Sequence, residues 1–302
     1  MKCVTIISMV MALLVGVLLN GRTAYPAEPV PPVVTIKWLL ENKANPSLVI
    51  VDIRKVEEYR EGHIPGSVNL TYSAWRTMEN GITCQLPLKD DIEENLGSAG
   101  IGQGSIVVIA GKTETDLDRA HPARVAWTMK YAGINKVAIL DGGYTRWTGE
   151  GNPVEKGWVK ATPKPFCCKW NERVLCSKDC LKEKAGRVTI VDTRLHSYFT
   201  GEVKDPGAAK QGHIPGSVNL PYTLAFNEDG TYVSREKLAG PAVRAVGKDT
   251  KKEIVLLCCT GRFSPTWWFM LSEVLGYEKV SIFDGSIEEW CRDPSAPIVR
   301  GE

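Results

Sequence analysis

The chain has 302 residues, of which 43% are hydrophobic and 24% charged, and its formal net charge is +2. This composition is typical of a globular protein, and the length suffices for two domains of roughly 130 residues each. The balanced charge, without a basic stripe that carries interleaved aromatic residues, gives no reason to expect nucleic acid as a partner.

The N-terminus differs in character from the rest of the chain. Lys2 precedes an uncharged, apolar run from Val4 to Leu19, and Arg22 and small residues follow it. This pattern is typical of a signal peptide. An uncleaved anchor stays open, although the run is slightly shorter than the roughly 20 residues of a membrane span. We predict a signal peptide or N-terminal anchor over residues 1–27, with membrane contact through this segment only. The protein is then exported, and is periplasmic or membrane-anchored facing the periplasm.

The first folded elements follow directly. Residues 28–34 are proline-rich and are predicted to form an extended tether. Thr35 is a suitable N-cap for a short helix that ends at Asn42. Ser47 to Val51 has the pattern of a buried strand that ends at Asp52.

An internal repeat organises the remainder of the chain. GHIPGSVNL occurs at 62–70 and again at 212–220, IVDIR at 50–54 corresponds to IVDTR at 190–194, and LDGGYTRW at 140–147 corresponds to FDGSIEEW at 283–290. The second copy has additional residues around 199–207. We therefore predict domain 1 over residues 35–150, a linker over 151–166 and domain 2 over 167–302.

Each copy alternates short β-branched runs with helical segments, which predicts an α/β fold with a parallel sheet covered by helices on both faces. The GHIPGSVNL motif shapes a turn between a helix and a strand, so His63 and His213 are interpreted as hydrogen-bonding residues of that turn. The polar residues at the strand ends are predicted to hold neighbouring loops together: Asp52, Arg54, Asp192 and Arg194. Arg194 is also a candidate for the active-site cleft.

The stretch from Glu253 to Tyr277 is the candidate catalytic segment. Residues 254–257 have the pattern of a strand buried on both faces, and it runs directly into Cys258. A short loop and Pro265 come next, and proline is favoured in the first turn of a helix. We predict Ser264 as the N-cap of this helix and Gly276 as its left-handed C-cap.

This arrangement brings a cysteine to loop amides and to the positive end of a helix dipole, which lowers the pKa of a thiol. Cys258 is therefore predicted to be a nucleophile that attacks a sulfane sulfur or a phosphorus atom. The alternative is that Cys258 is a buried, unreactive cysteine of the core. The loop is predicted to hold the anionic sulfur and its donor, with Arg262 as the cation: Cys259, Thr260, Gly261, Arg262, Phe263 and Ser264.

The spacing Cys258-x-x-Gly261-x-x-Ser264, with VDTR at 191–194, GHIPGSVNLPY at 212–222 and FDGSIEEW at 283–290, resembles the rhodanese family of thiosulfate and 3-mercaptopyruvate sulfurtransferases. The resemblance implies two tandem rhodanese-like domains and a Cys258 persulfide, with no cofactor. It implies sulfur transfer from thiosulfate or a related small donor to cyanide, a thiol or a thiol-redox protein. The C-C-T-G start of the loop lacks the C-G-S-G of mercaptopyruvate enzymes, so we expect thiosulfate to be preferred.

The two copies differ at the catalytic strand. Aligning IVVIA at 106–110 with IVLLC at 254–258 places Ala110 at the position of the nucleophile. Domain 1 is therefore predicted to have no nucleophile. The resemblance implies that it forms one wall of the cleft.

The other cysteines leave alternatives open. Four of them cluster at the start of domain 2: Cys167, Cys168, Cys176 and Cys180. We predict no metal site because the spacing lacks C-x-x-C pairs, and a disulfide is favoured in an oxidising compartment. Cys259 either shares the persulfide or turns away from the loop.

Two other function classes are weighed against sulfur transfer. A cysteine-dependent phosphatase of similar fold needs an arginine six residues after the nucleophile, but Ser264 stands there, counted from Cys258. A non-enzymatic carrier of sulfur or selenium, or an oxyanion-binding module, would use the same loop. Turnover of thiosulfate and cyanide distinguishes such a module from an enzyme.

Overall fold

The computed structural model describes residues 29–301. The predicted signal peptide or anchor lies outside the described residues. Within residues 29–301, each helix is too short or too polar to cross a membrane.

Domain 1 is built on a five-stranded sheet in which all paired strands are parallel, with the order β1-β7-β6-β2-β3. A separate antiparallel hairpin, β4–β5, projects from it. The elements are β1 (Val33–Val34), α1 (Ile36–Asn42), β2 (Leu48–Asp52), α2 (Val56–Glu61), β3 (Val68–Asn69), β4 (Thr77–Glu79), β5 (Ile82–Gln85), α3 (Lys89–Ser98), β6 (Ile106–Ala110), α4 (Asp116–Tyr131), β7 (Lys136–Leu140) and α5 (Gly143–Gly149).

Domain 2 repeats this architecture with a parallel sheet of order β8-β12-β11-β9-β10. Its elements are β8 (Leu175–Cys176), α6 (Lys178–Lys184), β9 (Thr189–Asp192), α7 (His196–Thr200), β10 (Val218–Asn219), α8 (Arg235–Val246), β11 (Glu253–Leu257), α9 (Ser264–Phe269), β12 (Lys279–Phe283) and α10 (Ser286–Arg292). The predicted fold of two parallel α/β domains is confirmed.

The start of domain 1 follows the sequence prediction with one difference. The Thr35 side chain accepts the N–H of Trp38 at 3.1 Å, which caps α1 as expected. Val33 and Val34, however, pair with Ile139 and Leu140. The end of the predicted tether is therefore an edge strand, because its two valines bury themselves against the sheet.

The segment between the domains stays attached to domain 1. Lys164 donates its N–H to Gly97 O at 3.0 Å, and Asn171 donates to Tyr131 O at 2.8 Å. The sheet of domain 2 begins four residues later with β8 (Leu175–Cys176). A disulfide joins Cys176 to Cys180 across 5.6 Å between Cα atoms, whereas Cys167 and Cys168 are free. No group of three or more His, Cys, Asp and Glu in residues 29–301 is arranged to hold a metal ion.

The hydrophobic core is continuous between the domains. The helices that follow the two central strands, α4 and α9, meet at the interface and contribute Trp127 and Trp267 to one cluster. Both indoles are completely buried, and each finds a hydrogen-bond acceptor, Val174 O for Trp127 and Pro221 O for Trp267. This packing fixes the candidate catalytic segment of domain 2 against domain 1.

Two adjacent leucines in α1 test the assignment of the domain 1 core. Leu39 is 0% exposed and Leu40 is 37% exposed. We expect Leu39→Ala to lower the free energy of unfolding of domain 1 by about 2–5 kcal/mol, because it leaves a cavity. The matched change Leu40→Ala should stay within about 0.5 kcal/mol. Guanidinium denaturation followed by tryptophan fluorescence measures both, and equal losses would contradict the packing of α1.

Candidate active site

The nucleophile predicted from the sequence lies at the carboxyl end of the central strand of domain 2. Strand β11 ends at Leu257, and Cys258 follows with its side chain completely buried. Its Sγ accepts the N–H of Phe263 at 3.3 Å. The loop therefore turns back so that one of its N–H groups contacts the sulfur.

The helix that closes the loop begins one residue earlier than predicted. Ser264 is the first residue of α9 and Phe263 occupies the N-cap position without a side-chain cap, so the prediction of Ser264 as N-cap is wrong. The loop is short, and the Ser264 backbone N–H is one of the groups that lower the pKa of the Cys258 thiol. Its buried hydroxyl has no hydrogen-bond partner. After Phe269 the helix widens into a π-helical turn, Met270–Leu275, and the φ of 85° at Gly276 confirms the left-handed C-cap.

These contacts set the acidity of Cys258. Burial raises the pKa of the Cys258 thiol, but hydrogen bonds from the Cys259 thiol and from the N–H groups of Ser264 and Phe263 outweigh burial and lower the pKa to about 6. The thiolate therefore predominates at neutral pH, and the thiolate is the reactive form.

Ser286, for which no role was predicted from the sequence, anchors the loop through hydrogen bonds to its backbone. Its Oγ accepts the N–H of Cys258 and the N–H of Gly261, both at 3.1 Å, and donates to Phe283 O at 3.0 Å. Its φ of 52° is unusual for a residue with a side chain. The repeat contained the signal, because the corresponding position of the first copy, Gly143, is a glycine with φ 55°.

A buried ion pair holds the loop from the side of domain 1. Arg124 of α4 pairs with Asp284 and donates to Gly261 O at 3.0 Å. Its other terminal nitrogen donates to Cys84 O at 2.7 Å. Gly261 has φ 69°, and a Cβ there would collide with Asp284. The close approach of the ion pair therefore explains the loop glycine.

Arg262 lies at the junction between the domains. Its Nε donates to Cys84 Sγ, 3.4 Å away on β5. Cys84 is completely buried, and no sequence pattern predicted a role for it. Arg262 also lines the pocket beside Cys259 and has no carboxylate partner among residues 29–301.

A pocket of about 320 Å³ opens at the loop. Arg194, the candidate for the cleft, lies in its wall, but its guanidinium is paired with Asp192 and Asp205 and donates to Gly212 O. Arg194 is therefore already paired with carboxylates, and Arg262 is the cation of the pocket that is available to an anion. The pocket is lined by Arg194, Leu195, Tyr198, Asp205, Pro206, Gly207, Tyr222, Cys259, Thr260, Arg262 and Phe263.

The strand register corrects the alignment of the two copies. Ala110 pairs with Asp52 in the first sheet, and Leu257 pairs with Asp192 in the second. Gly111, and not Ala110, is therefore the counterpart of Cys258. The conclusion that domain 1 carries no nucleophile at this position is unchanged, because Gly111 has no side chain.

The histidines of the repeated motif behave as the sequence analysis interpreted them. Nδ1 of His63 lies 2.8 Å from Tyr59 O, and Nδ1 of His213 lies 2.8 Å from Phe199 O. The His63 ring also stacks on Tyr59 of α2, and the His213 ring stacks on Phe199 of α7. Both histidines therefore fix the turn after α2 or α7, and neither lines the pocket at Cys259.

Comparison with known proteins agrees with this geometry. The family model for the rhodanese-like domain matches twice, at residues 35–150 and 177–293. The chain belongs to the rhodanese family. Two tandem domains of that family make up most of its length, and its relatives support sulfur transfer as the general chemistry of the site.

Relatives along the whole chain include two bacterial proteins. The sulfur carrier protein TtuD of Thermus thermophilus is 28% identical over 89% of this chain and 96% of its own length. A protein of Mycolicibacterium smegmatis named "Putative thiosulfate sulfurtransferase" is 30% identical over 89% of this chain and 97% of its own.

Solved structures show the same fold. A complex of EanB with ergothioneine has a TM-score of 0.79 at 24% identity and covers 93% of this chain and 74% of that one. The 3-mercaptopyruvate sulfotransferase SseA from Escherichia coli has a TM-score of 0.73 at 24% identity, with coverage of 85% and 99%.

The acidity of Cys258 can be measured by alkylation with iodoacetamide. Because only the thiolate reacts, the rate should rise with pH to a midpoint near 6 and level off above about 7. Cys259→Ala removes a hydrogen bond to the thiolate and should move the midpoint upward. Peptide mass spectrometry identifies the alkylated cysteine. A midpoint of about 8.5, the value of a free thiol, would contradict the loop geometry.

The ion pair between the domains provides a second test. Arg124→Met leaves Asp284 buried without its cation and should lower the free energy of unfolding by about 3–5 kcal/mol. Adding Asp284→Asn removes the unpaired charge and should recover part of that loss. Equilibrium denaturation compares the two variants, and a loss below about 1 kcal/mol in the single variant would show that the pair behaves like an exposed one.

Proposed function

We propose that the protein is a thiosulfate sulfurtransferase that works through a persulfide on Cys258. The Cys258 thiolate attacks the outer sulfur of thiosulfate. The S–S bond of thiosulfate breaks, and sulfite leaves with the bonding electrons. Cyanide or a thiol then takes the sulfane sulfur and regenerates the thiolate.

The observation that carries this proposal is the buried Cys258 thiol, whose pKa is lowered by N–H groups of the loop. The Phe263 N–H reaches the sulfur at 3.3 Å, and the pKa of the thiol is lowered to about 6. The same donors that stabilise a thiolate also stabilise the anionic persulfide. A core cysteine without a function would have its pKa raised by burial.

The pocket supports an anionic donor. Arg262 lines it without a carboxylate partner in residues 29–301, and its guanidinium can bind the oxygens of the thiosulfate dianion. A volume of about 320 Å³ accommodates a small donor. We also propose an exported location, which the apolar run Val4 to Leu19 and the Cys176–Cys180 disulfide support.

A second candidate function is sulfur carriage. The relative TtuD, matched over 96% of its length, is named a sulfur carrier protein. A carrier would also load Cys258 but would hold its sulfur until a partner arrives. Turnover with a small acceptor distinguishes the two functions.

The test is steady-state kinetics of the purified protein with thiosulfate and cyanide, together with intact-mass spectrometry. We expect turnover, a higher kcat/KM for thiosulfate than for 3-mercaptopyruvate, and a mass increase of about 32 Da per chain after thiosulfate treatment. Cys258→Ser should abolish turnover, because a hydroxyl does not ionise near neutral pH.

The repeat offers a matched control. Gly111→Cys places a thiol at the corresponding position of domain 1. It should add no second sulfur, since Gly143 stands there in place of the Ser286 hydroxyl. Stable loading without turnover would favour a carrier, and a parent protein that gains no sulfur would contradict both functions.

A further inference from the structure

Two adjacent cysteines occupy the active-site loop, but their side chains have different surroundings. Cys258 is completely buried, with its Sγ inside the loop. Cys259 is partly exposed, its Sγ lies 3.8 Å from Thr260 Oγ1, and it lines the 320 Å³ pocket. One thiol is thus enclosed by protein, and the other lies where an acceptor would enter.

The pocket wall beside Cys259 comes from the additional residues of the second copy. Asp205, Pro206 and Gly207 line the pocket with Cys259. A Cβ placed on Gly207 would lie 3.8 Å from Cys259 Cβ, so this segment packs directly against the second cysteine. In the shorter first copy the two cysteine positions are occupied by Gly111 and Lys112, and Lys112 is bound to Glu58 at 2.6 Å.

The two thiols also differ in acidity. The hydrogen bond to Cys258, reinforced by burial, raises the pKa of Cys259 well above its ordinary value, while the pKa of Cys258 is about 6. In exchange between sulfur atoms, the thiol of lower pKa is the better leaving group, and the one of higher pKa is the stronger nucleophile once it is deprotonated. The low pKa of Cys258 therefore makes it the better leaving group, whereas Cys259 is protonated at neutral pH and must lose its proton before it attacks.

We propose that Cys259 takes the sulfane sulfur from Cys258 and presents it to thiol acceptors in the pocket, an inference that rests on the sulfurtransferase function proposed above. Cys258 is then the loading residue and Cys259 the delivering residue. The acceptor is a thiol bulkier than cyanide that enters the pocket beside Cys259, such as a dithiol or a protein thiol.

The transfer step is balanced without an oxidant or a reductant. The proton of the Cys259 thiol moves to the outer sulfur of the Cys258 persulfide anion. The Cys259 thiolate forms a bond to that sulfur while the bond from Cys258 breaks. Cys258 leaves as a thiolate, which the N–H of Phe263 stabilises. One S–S bond is lost and one is gained.

The backbone disfavours the competing reaction, in which Cys259 attacks the inner sulfur, releases sulfide and closes a disulfide with Cys258. A disulfide between adjacent residues requires the peptide that joins them to turn. That peptide is held on both sides, because Cys258 N–H donates to Ser286 Oγ at 3.1 Å. The carbonyls of Cys258 and Cys259 accept the N–H groups of Ile287 and Glu288 at 3.2 and 3.0 Å.

The experiment compares the parent with Cys259→Ser, in which the hydroxyl can still donate to Cys258 but cannot carry sulfur. Each protein is loaded with thiosulfate, alkylated, digested and fragmented to locate the added sulfur, and turnover is measured with dithiothreitol and with cyanide. In the parent we expect sulfur on Cys259 as well as on Cys258. In Cys259→Ser we expect one sulfur on Cys258, a loss of about tenfold or more in turnover with dithiothreitol, and a much smaller loss with the smaller cyanide.

The exposed Cys167 provides the control, and Cys167→Ser should match the parent with both acceptors. Sulfur confined to Cys258, with parental turnover of dithiothreitol in Cys259→Ser, would overturn the relay. Sulfide release with a disulfide between Cys258 and Cys259 would overturn it as well. If neither cysteine of the parent gains sulfur, the sulfurtransferase function itself fails, which is a different result from a loaded Cys258 that never passes its sulfur on.

Discussion

The buried ion pair between Arg124 and Asp284 is the contact on which the geometry of the candidate active site depends. It joins the two domains, because Arg124 belongs to α4 and Asp284 follows β12. The same guanidinium donates to Gly261 O in the middle of the catalytic loop and to Cys84 O on the hairpin. A buried charge is costly unless it is fully paired. The loop, the hairpin and Asp284 must therefore be in place together.

The repeat shows how one architecture acquires a reactive sulfur in one copy only. Both copies end the central strand beside an Asp-Arg pair and follow it with a loop and a helix. Domain 2 adds a cysteine at the strand end and a serine hydroxyl under the loop, where domain 1 has Gly111 and Gly143. The change from Gly143 to Ser286 preserves a left-handed backbone and supplies an acceptor for two loop amides.

Hydrophobic periodicity and the repeat were sufficient to predict the sheets, the tandem domains and the position of Cys258. Local patterns failed where a contact with a distant residue decides the outcome. Ser264 has the chemistry of an N-cap, but it is the first residue of α9, and its backbone N–H contributes instead to lowering the pKa of the Cys258 thiol. The apolar runs of the two copies align Ala110 with Cys258. The strand pairing shows instead that Ala110 corresponds to Leu257, one position earlier. Arg124 and Cys84 gave no local signal, because their roles arise only when the domains meet.

The hairpin of domain 1 also limits how molecules can reach the loop. Thr83 N–H and Leu86 N–H donate to Glu288 and Asp284 across the interface, so β5 is fastened on both sides of Cys84. A hinge that parted the domains would break these bonds together with the ion pair at Arg124. Donors and acceptors are therefore expected to enter and leave through the mouth beside Asp205 and Gly207, with the domains closed throughout the catalytic cycle. The shape of that entrance then restricts which acceptors can reach the loop.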